Sequence, residues 1–114
     1  LIAAERYLEL GFFLSVAAPI GYPSSRHTFE VIRSIPSDRL LVETDSPFLP
    51  TQNRRGKRNE PAYLPIIVGK LAQIRETSFS AVAKDTAQNA FRLFRLPGLE
   101  KQPQSSHEIK DFVE

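Results

Sequence analysis

The chain contains no cysteine, no methionine and no tryptophan. Without cysteine there is neither a disulfide framework nor a thiolate metal site, which is compatible with the cytoplasm, the compartment expected for this protein. The missing methionine, together with Leu1 at the start, leads to the expectation of a fragment lacking its N-terminal part. Long hydrophobic runs are scarce too. Phe12 to Ile20 is the nearest approach, but it is far shorter than a membrane span and Pro19 interrupts it, so no membrane partner is expected. No sign of charge dominates: the net charge of +2 does not by itself imply a nucleic-acid partner. The distribution says more, because Arg54, Arg55, Lys57 and Arg58 fall within five residues.

At 114 residues the chain is long enough for one small domain. Leu1, Ala4 and Leu8 recur at helical spacing, so residues 1–10 read as the tail of an amphipathic helix ending near Gly11. Phe12 to Val16 reads as a buried strand, with Ser15 bonded to backbone. Ser24 or Ser25 is placed to cap a helix whose inner stripe is Phe29, Ile32 and Ile35. Arg39 to Thr44 forms a second strand. Asn59 or Glu60 starts a third helix with Leu64, Ile67, Val68 and Leu71 on its apolar face. A fourth begins near Ser78 and runs to Pro97-Gly98. This alternation predicts a parallel α/β fold.

The stretch from Leu40 to Pro61, LLVETDSPFLPTQNRRGKRNEP, carries the chemistry. Leu40 to Val42 is apolar, and Glu43 and Asp45 follow two residues apart, which places both carboxylates on one side of an extended strand. A carboxylate at a strand's carboxyl end is suited to holding a divalent cation. An Asp before Ser-Pro also serves as an ordinary turn residue, and spacing alone leaves both readings open. Glu43 fits either a carboxylate that orients a metal ligand or a buried structural acid paired with Arg or Lys, the latter slightly preferred. In the basic loop, Gly56 permits close backbone approach, and Arg55 and Lys57 are candidates for substrate phosphates. A solvated surface loop is the plainer alternative. Asn59 and Glu60 read as residues that fix the loop at the helix start, and Tyr63 reads as packing. His27 and His107 do not sit where a site is expected.

ETDSP followed by RGKxNEP closely resembles the C-terminal signature of the TatD family of metal-dependent deoxyribonucleases. Leu10 to Ser15 resembles that family's penultimate strand, Ile35 to Arg39 its lead-in to the last strand, and Ser78 to Phe94, with Asn89-Ala90 and Leu93-Phe94, its closing helix. One departure is that Pro50-Thr51 stands where the family has Ala-Pro. The resemblance covers residues 1–96 and leaves 97–114 as a polar tail expected to be mobile.

It implies the last two strand–helix units and the closing helix of a (β/α)8 TIM-barrel metallohydrolase, a fold of about 250 residues when complete. It further implies a parent enzyme that cleaves phosphodiester bonds in DNA with two divalent metal ions. Asp45 would be a metal ligand and catalytic residue, and Arg55 and Lys57 would bind substrate. The family's metal-binding histidines and other acids come from earlier strands, so the fragment alone is expected to be inactive. Phe12, Leu14 and Leu41 are expected to face the barrel interior. A barrel hydrolase of another ester or an amide, and a non-catalytic truncated product, are the rival readings.

Overall fold

Gly11 stops the first helix. At φ +86° it occupies the left-handed conformation that ends many helices, and the Phe12 N–H reaches back to the Tyr7 carbonyl at 3.0 Å. The computed structural model describes residues 2–98. Helix α1 (Ile2–Glu9) leads to strand β1 (Leu14–Val16), then through 3₁₀ stretches at Ala18–Gly21 and Pro23–Thr28 to α2 (Phe29–Ser34). A 3₁₀ turn at Ser37–Arg39 precedes β2 (Leu40–Val42). Two further 3₁₀ turns, Gln52–Arg54 and Pro61–Tyr63, lie ahead of α3 (Leu64–Ile74) and α4 (Phe79–Phe94). From residue 99 onward the expected tail lies outside the described residues.

The α/β expectation holds. β1 and β2 pair in parallel, Leu14 with Leu40, Ser15 with Leu41 and Val16 with Val42. Both strands are shorter than expected. Alternation along them sends Leu14, Val16, Leu40 and Val42 towards the helices, where Val16 and Leu40 are buried and Leu14 and Val42 pack against the core. Leu14 therefore does not face the barrel side. Ser15 and Leu41 occupy the opposite face, and Ser15 is exposed, its hydroxyl without a hydrogen bond among the described residues, contrary to expectation. The core is built by Ile32 and Ile35 beside α2, by Ile67, Val68, Leu71 and Ile74 of α3, and by Val82 of α4.

Two helices start later than their sequence signals. The segment from Pro23 is 3₁₀ until Phe29, because local side chains compete for its carbonyls: the Thr28 hydroxyl donates to Ser25 O at 2.6 Å, and His27 Nδ1 lies 2.9 Å from Ser24 O. The third helix begins at Leu64 rather than Asn59 or Glu60, since Asn59 is committed to the preceding loop. The fourth matches its signals better. Ser78 caps it, with Oγ accepting the Ala81 N–H at 3.1 Å. It ends at Phe94, with Arg95 left-handed, ahead of Pro97.

Two long-range devices hold β2 and the helices in place. Arg33 of α2 donates from Nε to Ile74 O at 2.8 Å, while Arg75 donates from Nη1 to Ile32 O at 2.7 Å and Ile35 O at 2.8 Å. Each arginine thus satisfies carbonyls that the other helix leaves open at its end. Burial lowers the Arg75 pKa from its ordinary value, opposed by the charge of Asp85. The buried Asn89 on α4 donates to Ser37 O at 2.7 Å and Leu40 O at 2.8 Å, fixing the entry to β2.

Candidate functional site

The last ladder bond of the sheet runs from the Glu43 N–H to Val16 O, at 3.0 Å. Beyond it the chain turns. Asp45 takes a left-handed backbone conformation, φ 56°, which Asp and Asn tolerate better than other side chains with a Cβ. Its carbonyl accepts the Phe48 N–H at 2.9 Å across a turn containing the cis Ser46–Pro47 bond. The strand has ended at Val42, so simple alternation no longer governs where the Asp45 carboxylate points. The proposed equivalence of Glu43 and Asp45 as same-side residues of one strand therefore lapses.

Asn59 holds this turn from below. Its side chain is buried, at 2% relative exposure. Nδ2 donates to Thr44 O at 2.6 Å and Phe48 O at 2.8 Å, with Leu49 O at 3.3 Å, and Oδ1 accepts the Glu60 N–H at 2.9 Å. The Asn59 N–H adds a bond to Pro47 O at 3.0 Å. One amide therefore ties both flanks of the Asp45 turn to the start of the α3 segment. Loop fixing was the role expected of this residue, and here it takes the form of a buried hub.

Held in this way, Asp45 is exposed, and its carboxylate makes no hydrogen bond or ion pair to another described residue. That is the state of a ligand available to a cation or to water; a turn-forming Asp uses its side chain on nearby backbone N–H groups. Glu43 is exposed as well, with no ion pair among the described residues; the Arg or Lys expected as its partner belongs elsewhere in the barrel. Glu43 lines one cleft together with Ser15 and with Val31, Ile32 and Ile35 at α2. Among the described residues, no group of three or more His, Asp or Glu side chains could hold a metal ion. Asp45 fits as one ligand of such an ion, and the remaining ligands would have to come from outside this segment.

The basic loop divides into packed and free members. Arg54 is half-buried, its guanidinium 4.0 Å from the Tyr63 ring centroid, with Nη1 donating to Tyr63 Oη at 3.2 Å. Its Nε is buried without an acceptor among the described residues, and the stack on Tyr63 packs this arginine into the fold. Arg55, Lys57 and Arg58 are exposed. Arg55 lies over the Tyr22 ring at 4.5 Å, and Tyr22 Oη donates to Pro50 O at 2.7 Å. Tyr22 was not foreseen as part of the site, since it lies 28 residues from its partner in sequence and carries no local signal. His27 keeps to its own 3₁₀ segment and His107 lies outside the described residues.

Residues 1–95 match the profile of the TatD related DNase family. The chain belongs to this family. It is 41% identical over 93 residues to the uncharacterized metal-dependent hydrolase YabD of Bacillus subtilis, a match covering 82% of this chain and 36% of that protein. It is 34% identical over 93 residues to the uncharacterized metal-dependent hydrolase TatD of Mycobacterium tuberculosis, covering 82% and 35%. The crystal structure of the Escherichia coli TatD homologue YjjV superposes with a TM-score of 0.76 at 32% identity, over 82% of this chain and 36% of that one. A hydrolase of the TatD family from Entamoeba histolytica, at 21% identity and TM-score 0.66, shares the fold. The chain thus spans little more than a third of the length of these relatives. No helix among the described residues is long and apolar enough to cross a membrane.

Proposed function

We propose that this segment supplies the last two strand–helix units and closing helix of a longer (β/α)8-barrel enzyme that hydrolyses phosphodiester bonds in DNA. Asp45 is the metal ligand and catalytic carboxylate contributed by the final strand, and Arg55 and Lys57 contact substrate phosphates. The observation that carries this reading is the Asp45 carboxylate, exposed and without a partner among the described residues at the carboxyl end of β2. A carboxylate at that edge is where barrel enzymes place their chemistry. Divalent ions bound there, two per complete site, would supply Lewis-acid charge to a phosphoryl oxygen.

The chain's own residues do the rest. The Asn59 hub and the left-handed turn hold the carboxylate in place before a cation arrives, which lowers the ordering cost of binding. The exposed guanidinium of Arg55 and the Lys57 ammonium bring positive charge onto the same loop, which suits a phosphate backbone better than a neutral amide or lactone. That loop is anchored at both ends, to Tyr22 through Pro50 O on one side and to the Asp45 turn through Asn59 on the other.

Asp45→Asn in the full-length protein is the deciding test. Asn accepts the same left-handed conformation and preserves the shape, but it lacks the charge a hard cation requires. Metal affinity and turnover on a DNA substrate should both fall by more than the roughly 10–100-fold that loss of an outer-shell partner costs, with the barrel still folded. Near-normal turnover with intact metal content would refute the assignment.

A further inference from the structure

The contact between Tyr22 and Arg55 joins two parts of the chain that no motif links. Tyr22 lies between the two 3₁₀ stretches that follow β1, whereas Arg55 belongs to the loop after β2. The ring underlies the guanidinium at 4.5 Å, and the phenol anchors the ring to Pro50 O at 2.7 Å. Tyr22 is itself half-buried, while Arg55 is exposed. The neighbouring Arg54–Tyr63 stack looks similar but differs in one respect: there the arginine is half-buried and spends Nη1 on the tyrosine hydroxyl. Arg55 has no hydrogen-bond partner among the described residues.

A planar guanidinium stacked on a ring uses its face for the ring and keeps its in-plane N–H fork free. Arginine grips a phosphate through two parallel hydrogen bonds from N–H groups left free in this way, and none of those of Arg55 is spent on a described residue. A long exposed side chain otherwise loses considerable rotamer entropy when it binds. Stacking on a ring already fixed by a hydrogen bond removes part of that cost.

We infer that Tyr22 is a positioning residue for substrate: its ring holds the Arg55 guanidinium ready to bind a phosphate of the nucleic-acid backbone. The inference rests on the phosphate-binding reading of Arg55 given above. Tyr22 does not touch the reacting atoms and acts only through Arg55. It therefore affects substrate binding and leaves the chemical step alone.

The test uses the full-length protein, a short single-stranded oligodeoxynucleotide as probe, and steady-state hydrolysis. Tyr22→Leu, which keeps apolar bulk but no π face, should raise KM about two- to five-fold, the range expected for an exposed cation–π contact, with kcat little changed. Tyr22→Phe, which keeps the π face but loses the anchor to Pro50 O, should raise KM less than Tyr22→Leu does. Progressively fluorinated phenylalanine at this position, nearly isosteric and so safe for folding, should raise KM stepwise as the ring quadrupole weakens. In an Arg55→Ala background, Tyr22→Leu should have no further effect, because the contact is already gone.

Two results overturn the proposal differently. If Arg55→Ala raises KM while the fluorinated series stays flat, or the Tyr22 and Arg55 effects multiply, Tyr22 does not position Arg55 and the phosphate reading stands. If Arg55→Ala leaves KM unchanged, both fall together.

Discussion

Asn59 offers the sharpest test of how the site is held. Asn59→Ala deletes an amide that donates to Thr44 O at 2.6 Å and Phe48 O at 2.8 Å and accepts the Glu60 N–H at 2.9 Å. Three bonds of good geometry, each contributing about 1 kcal/mol net, set the loss near 3 kcal/mol. Because the side chain is buried, the orphaned carbonyls and N–H pay desolvation unless water enters, so a range of about 2–4 kcal/mol is expected. Asn59→Asp should cost more at neutral pH, since an acceptor then faces two carbonyl oxygens. Denaturant unfolding of the full-length variants measures both, and hydrogen exchange at Glu60 reports the loop locally. Metal affinity should weaken with loop order, because Asp45 rides on the same turn. A change within about 0.5 kcal/mol for Asn59→Ala, as for an ordinary surface site, would refute the hub.

The other expectations follow from the same contacts. Arg55→Ala with Lys57→Ala should flatten the salt dependence of duplex binding, by a slope of about 0.9 for each lost phosphate contact, and lower affinity more than turnover at saturating DNA; an unchanged slope returns the loop to simple solvation. Arg75→Lys should destabilise the full-length protein by about 1–3 kcal/mol in thermal or denaturant unfolding, because a shorter side chain with one nitrogen cannot serve Ile32 O and Ile35 O from the Nη1 position and Ser37 Oγ from the Nη2 position. The isolated 114-residue chain should aggregate, self-associate or unfold without cooperativity, with Phe12 at 54% exposure and β1 and β2 the only strands among the described residues. A monomer with a sharp two-state transition would refute that expectation.

Much of this molecule is legible along the chain. The three- and four-residue spacing of Ile67, Val68 and Leu71 marks the buried face of α3, because helix geometry writes burial into local order. The apolar Leu40–Val42 run, the acid after it and the compound motif were sufficient to single out Asp45. Ser78 signalled its cap for the same reason: a capping bond closes within three residues.

What sequence order could not show depends on partners far away. Asn89 reaches back 52 residues to Ser37 O and Tyr22 reaches 28 residues to Pro50 O. Such bonds leave no period in the sequence. Which strand face Leu14 takes was settled by its register against Leu40, and one residue of slip would have reversed it. Residue type and spacing determined that this chain forms helices around parallel strands and offers a carboxylate at a strand end. Only tertiary packing decided how the turn that carries it is held, which arginine is half-buried and which stays exposed, because buried polar groups must find partners wherever the fold brings them.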